Sequence, residues 1–171
     1  SVFVEAQFQS KNKNTSVRLG VRDNYFKKFN LHLVEPRLHI NHRFLNYFRA
    51  ELSAEYKSQS TTQIIDLQKD FLGIEKRRWV LANNTTIPVV KSKQASFGLS
   101  YNKNKLLVTA EAFIKHVDGI TTRSQGFQNQ YQFVNAIGNY EIKGVDLLIN
   151  KQFQKFGAWL SYSYSKNNYT F

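Results

Sequence analysis

Residues 48 to 57 read Phe-Arg-Ala-Glu-Leu-Ser-Ala-Glu-Tyr-Lys. Phe48, Ala50, Leu52, Ala54 and Tyr56 occupy one set of alternate positions; Arg49, Glu51, Ser53, Glu55 and Lys57 occupy the other. A period of two belongs to a β-strand, whose successive side chains leave opposite faces of a sheet. The polar set is charged rather than merely small. Which of the two faces meets water decides what this strand is for.

Working outward, the pattern recurs. Val2, Val4, Ala6 and Phe8 alternate with Phe3, Glu5 and Gln7, and Val17, Leu19 and Val21 with Arg18, Gly20 and Arg22. Leu38, Ile40 and Phe44 oppose Arg37, His39, Asn41 and Arg43. Downstream, Ala95, Phe97, Leu99 and Tyr101 share a face, as do Val108, Ala110, Ala112 and Ile114 against Thr109, Glu111, Phe113 and Lys115. Val145, Leu147 and Ile149 form a further set, and Ala158, Leu160, Tyr162 and Tyr164 the last. The spacing predicts an all-β fold: an antiparallel up-and-down meander of about eight strands. Short polar turns fall at residues 9–14, 45–46, 102–105 and 154–155. The other connections are longer: 23 to about 34, then long loops over about 58–92, with short structure expected near Trp79 to Ala82, and over 116–138. Short turns at one end and long loops at the other are the habit of outer-membrane barrels, and strands near ten residues suit a tilted bilayer crossing.

Composition fits the same reading. The chain has 171 residues, one domain's worth, with 24 Lys and Arg against 12 Asp and Glu, a formal charge of +12. That excess points to an anionic neighbour such as nucleic acid, lipid headgroups or an acidic ligand. Without cysteine, neither a disulfide framework nor a thiolate metal site is possible. No apolar run reaches the roughly 18 residues of a spanning helix. The opening Ser-Val-Phe-Val, already in strand pattern, does not look like a native N-terminus.

With the strands in order, the sequence resembles the TonB-dependent outer-membrane receptors. Gly20-Val-Arg22 and Glu35-Pro-Arg37 are similar to a consecutive strand pair of that family, and Gln94 to Tyr101 to its next descending strand. Thr109 to Lys115 with Asp118-Gly-Ile120 resembles the ascending strand that follows. Asn139 to Asp146 resembles the segment carrying Gly-Val-Glu or Gly-Val-Asp, and Trp159 to Ser165 the strand after it. No single motif is specific; their ordered spacing over nearly the whole chain is. The resemblance implies that residues 1–171 are part of a larger transmembrane β-barrel domain of 22 strands, with the plug domain outside this chain. It implies energised uptake of a scarce ligand (an iron chelate, cobalamin or a glycan), captured by long loops and released through an inner-membrane energy-coupling protein acting on the plug. Outer-membrane lipid and lipopolysaccharide are the expected surroundings, in the bacterial outer membrane.

Sites follow from position. Arg37, Arg49, Glu51, Glu111 and Asp146 are expected to face a wet lumen, while Leu52, Val108 and Leu160 face lipid. Arg77, Arg78, Trp79, Arg123, Gln125 and Asn129, in the long loops, are the expected ligand contacts. Lys76-Arg77-Arg78-Trp79 could also contact nucleic acid, but no nucleic-acid fold accompanies it, so none is expected as a partner. His39 and His42 fall on opposite strand faces, so no shared metal is expected. Glu51 and Glu55 share a face, yet four residues put their Cα atoms roughly 13 Å apart, too far for a paired-carboxylate glycosidase. There is no nucleophile–base set and no phosphate loop, so neither an enzyme nor a cofactor is expected. Two other architectures fit the alternation: a soluble β-sandwich or small barrel that binds an anionic partner, and a complete eight-stranded membrane barrel, against which the non-native start argues.

Overall fold

The computed structural model describes residues 1–27, 30–66, 76–83, 85–122 and 136–171. The strands are β1 (Val2–Gln9), β2 (Thr15–Phe26), β3 (Leu31–Phe44), β4 (Phe48–Gln59), β5 (Thr61–Asp66), β6 (Lys76–Leu81), β7 (Val90–Lys103), β8 (Leu106–Thr121), β9 (Ile137–Gln152) and β10 (Gly157–Thr170). Eight of them form one antiparallel sheet in the order β1-β2-β3-β4-β7-β8-β9-β10. β5 and β6 form a separate two-stranded ribbon inserted between β4 and β7. The eight-strand meander expected from alternation is therefore present, with β1 and β10 as unpaired edges rather than joined to each other.

The short turns are set by their residues. Asn104 and Lys105 both adopt positive φ, 52° and 59°, and close Lys103 onto Leu106 as a two-residue hairpin. Leu45 and Asn46 also take positive φ, 49° and 60°, within a three-residue loop, 45–47, between the paired Phe44 and Phe48. At the other end the expectation needs a correction. The connection anticipated from Asp23 to about Val34 shrinks to residues 27–30, because β2 continues through Phe26 and β3 starts at Leu31. Alternation misleads there since Leu33 and Glu35, on the otherwise polar face, are buried, while Val34 on the apolar face is exposed. The segment expected as a long loop over 58–92 likewise contains the ribbon, and β8 and β9 extend into 116–138.

Register sorts the side chains into two faces. One cross-strand row runs Phe8, Val17, Ile40, Leu52, Phe97, Ala112, Val145, Tyr164. Apolar side chains of this face are exposed: Leu52 by 38%, Phe97 by 47%, Leu160 by 68%. A sandwich would lay a second sheet over this face, and among the described residues there is none.

The apolar belt is not parallel to the hydrogen-bonded rows. On β1 it reaches up to Val2; on β10 it stops at Tyr164, whose row meets β1 at Phe8. The upper border thus slips six residues across eight strands. At about 3.3 Å per residue and about 4.8 Å per strand, that slope is about 30°. A belt that stays level while strands tilt must cross the rows in this way, and the angle lies near the tilt of barrel strands.

Candidate functional site

The opposite face carries the charges. On β3, β4, β7, β8 and β9 its positions are Arg37, Arg49, Glu51, Glu55, Gln94, Glu111, Lys115 and Asp146. Glu5 pairs with Arg18 at 3.6 Å, and His39 approaches Glu51 at 3.6 Å while its Nδ1 is 3.0 Å from the Ser53 hydroxyl. Lys57 meets Glu55 at 2.6 Å. Such exposed pairs contribute about 0–1 kcal/mol each, so they organise the face more than they hold the sheet together. Two cross-strand partners are like-charged: Arg43 opposite Arg49, and Glu111 opposite Asp146. Direct like-charge opposition is destabilising in a strand pair, and water between the groups lessens it.

Two depressions mark this face. One of about 470 Å³ lies between Glu5, Arg18, Arg37, His39 and Glu55. The other, about 390 Å³, lies between Arg49, Glu51, Glu111, Asp146 and the serines Ser161 and Ser163 of β10. No group of three metal-ligating side chains occurs among the described residues.

At the end of the sheet opposite the tight turns, the polar face becomes a small core. Leu33 packs with Ala82 and Val89, which flank the ribbon and the start of β7, with Phe26 and Leu31 around them. Glu35 lies beneath this layer, 3% exposed. Its carboxylate accepts from the Ser58 backbone N–H at 2.9 Å and the Ser58 hydroxyl at 2.6 Å, with Arg37 at 3.8 Å. A buried carboxylate is tolerated because these donors replace its water. The inserted segment therefore stands on the charged side of the sheet. Its return to β7 is organised by Asn83, whose side-chain oxygen accepts from the backbone N–H groups of Thr85, Thr86 and Ile87 at 3.1, 2.9 and 2.9 Å.

A sheet apolar on one side and charged on the other, with an inserted ribbon over the charged side, has the make-up of a barrel wall. The family model of the TonB-dependent receptor-like β-barrel covers residues 1–171. The chain belongs to this family. No curated protein and no solved structure matches it.

As a TonB-dependent receptor barrel, the chain is a bacterial outer-membrane protein of a receptor and transport family, whose members bind a ligand and interact with TonB. Of the residues expected to face the lumen, Arg49, Glu51, Glu111 and Asp146 line one depression and Arg37 the next. The expected ligand contacts are less united. Trp79 lies on β6 opposite Gln63, and Arg78 opposite Ile64, so the two leave opposite faces of the ribbon. Trp79 is 65% exposed, while Ile64 is buried. Arg77 pairs with Ile65 in the same ribbon. Arg123, Gln125 and Asn129 lie outside the described residues. His39 and His42 do part to opposite faces: His42 Nδ1 is 2.8 Å from the Thr15 hydroxyl on the apolar side. The sequence reading missed Glu35 and Asn83. Glu35 carried a signal, since it shares strand parity with the apolar Leu33.

Proposed function

We propose that this sheet is a wall segment of an energised uptake channel, with its charged face toward a wet lumen and its apolar face against lipid. In lipid, backbone groups must be paired internally, so such a sheet functions as part of a closed barrel. The observation that carries the reading is the exposed apolar belt, slanted about 30° to the rows, as a level hydrocarbon slab would impose on tilted strands. The like-charged partners Glu111 and Asp146 support it from the other side, because water on that face makes their opposition tolerable. At the loop end, the exposed Trp79 and the segment that includes Arg123, Gln125 and Asn129 meet the ligand. That ligand is a scarce one of the iron chelate, cobalamin or glycan type, and a plug coupled to the inner-membrane energy source releases it.

The test is a lipid-facing charge. Leu52→Arg or Leu160→Arg in the full-length receptor is expected to cost about 2–4 kcal/mol of barrel stability if the position lies near the midplane. Assembly into outer membranes, followed by resistance to heat and protease, reads this out. Full tolerance of both arginines sinks the face assignment.

A further inference from the structure

The sheet divides at its loop end. The β3–β4 ladder stops at Arg37 opposite Glu55. Beyond that point β3 stays paired with β2, from Pro36 to Leu31, and β4 stays paired with β7, from Tyr56 to Gln59. The wall therefore forks between β3 and β4. Pro36 stands at the fork, the first residue of β3 with no partner on β4. A proline has no N–H to give to a ladder, so pairing ends there readily.

Two side-chain contacts bridge the fork. Leu33 of β3 packs with Ala82 and Val89. Glu35 reaches across to β4, where its Oε1 accepts from the Ser58 backbone N–H at 2.9 Å and from the Ser58 hydroxyl at 2.6 Å. The N–H of a strand points along its sheet toward the neighbouring strand, so this carboxylate takes the place of a β3 carbonyl. Its other oxygen, Oε2, lies 3.8 Å from Arg37 Nη2. Arg37 Nε is buried and has no hydrogen-bond partner. A guanidinium offers Nε–H and Nη–H side by side to one carboxylate. A second seat for Glu35 thus lies half-made on its own strand.

The two prongs are each held together internally. On the β2–β3 prong, Tyr25 and His32 stack at 4.6 Å, His32 Nδ1 is 2.9 Å from the Asp23 carboxylate, and the Tyr25 hydroxyl donates to Asn30 at 3.2 Å. On the other prong, the Ala82 N–H donates to the Ser60 carbonyl at 2.7 Å, which ties the base of the ribbon to the end of β4. Trp79 rides on that ribbon.

From this arrangement we infer that Glu35 is a positioning residue, a clasp with two seats across a fork in the wall. Seated on Ser58, it holds the β2–β3 prong to the base of the ribbon and fixes where Trp79 stands. Seated on Arg37, with Nε and Nη both donating, it frees Ser58 and leaves the prongs joined through Leu33. The buried carboxylate keeps donors in both seats, which spares it the cost of an unpaired charge. The exchange breaks no ladder pair, so the prongs part while the strands below stay joined. The role of the clasp in ligand capture rests on the lumen reading of the charged face.

Double electron–electron resonance on the full-length receptor in detergent micelles tests the clasp. Nitroxides at Lys27→Cys and Trp79→Cys, in a receptor with no other cysteine, report the distance between the prongs. One narrow distance is expected with Glu35 present. Glu35→Ala is expected to broaden it and to lengthen it by about one strand spacing, roughly 5 Å. Glu35→Gln keeps an acceptor for Ser58 and is expected to restore the narrow distance. In parallel, the Ser58 amide is expected to exchange slowly in the unmutated receptor, about tenfold faster in Glu35→Ala, and slowly again in Glu35→Gln. Heat resistance of the barrel on gels is expected to stay unchanged in both variants. An unaltered distance in Glu35→Ala overturns the clasp. Loss of heat resistance or failed assembly overturns it too, because Glu35 would then be a strut of the wall. So does a Ser58 amide that exchanges, in the unmutated receptor, as fast as the exposed amides of Lys11 and Lys13. The lumen reading fails or stands separately, on the assembly of the Leu52→Arg and Leu160→Arg receptors.

Discussion

Asn83 shows how one side chain fixes a connection. Its carboxamide oxygen gathers three successive backbone N–H groups, and its own N–H bonds the Ile87 carbonyl at 2.9 Å. Asn and Asp are suited to this because a short side chain carries the acceptor back to its own backbone. The turn in turn places Val89 against Leu33. Asn83→Ala is expected to destabilise this connection by about 1 kcal/mol, seen as roughly fivefold faster amide exchange at Thr85 to Ile87 in the full-length protein. Asn83→Asp keeps the acceptor and should exchange near the wild-type rate. Fast exchange in both variants would show that something other than the acceptor holds the turn. The role of Asn83 was hidden in the sequence because Asn-Asn-Thr-Thr reads equally well as an unstructured polar run.

At the level of the strand, legibility depended on whether anything lay across the polar face. From Phe48 to Lys57 no described residue does over most of the length, so side-chain parity and chemistry agree and the alternation is clean. In the upper half of β3, Ala82 and Val89 cover the polar face, Leu33 and Glu35 become buried, and the alternation loses its meaning. The β5–β6 ribbon escaped for a related reason. Ile64 and Ile65 are neighbours, and Lys-Arg-Arg-Trp puts side chains of opposite ribbon faces side by side in sequence. Read as a loop, Arg78 and Trp79 looked like one patch; in a ribbon they cannot be. Strand pairing also explains a glycine. Phe113, on the charged face of β8, is the cross-strand partner of Gly144 on β9. A Cβ at Gly144 would lie 2.8 Å from Phe113 Cζ and would also press on the Tyr164 carbonyl of β10. The aromatic ring shields the bare glycine backbone, as it does at glycines of other sheets. Gly98 is the control: its added Cβ finds nothing nearer than 3.9 Å. Gly144→Ala in the full-length barrel is expected to cost about 1–3 kcal/mol through overpacking, read as a lower melting temperature in detergent, and Gly98→Ala close to nothing. Equal effects at the two glycines would mean that Phe113 and β10 yield to the added methyl.

At the scale of the whole sheet, burial and edges point the same way. Only Leu33, Ile64, Ala82, Val89, Val117 and Ile120 are buried apolar residues among those described, while Val2, Phe3, Val4, Trp159 and Leu160 are each about 70% exposed. Six such residues cannot offset the chain entropy of ordering a sheet this large in water, where each fixed residue costs about 1–2 kcal/mol. The sheet needs an apolar solvent on one side. It also needs strands beyond β1 and β10, whose outer backbone N–H and C=O groups have no partner strand among the described residues. Edges that are long and flat pair with other copies. The 171-residue chain prepared alone and diluted into detergent-free buffer is therefore expected to aggregate or to form edge-paired oligomers. In mild detergent it should keep β-sheet circular dichroism. Size-exclusion chromatography with light scattering distinguishes the outcomes. A monomer in plain buffer with a single cooperative melting transition would mean that the belt of Leu52, Phe97, Leu147 and Leu160 is an internal core after all, folded over by residues outside those described. That result would overturn the lipid-facing assignment from which the lumen and the slanted belt both take their meaning.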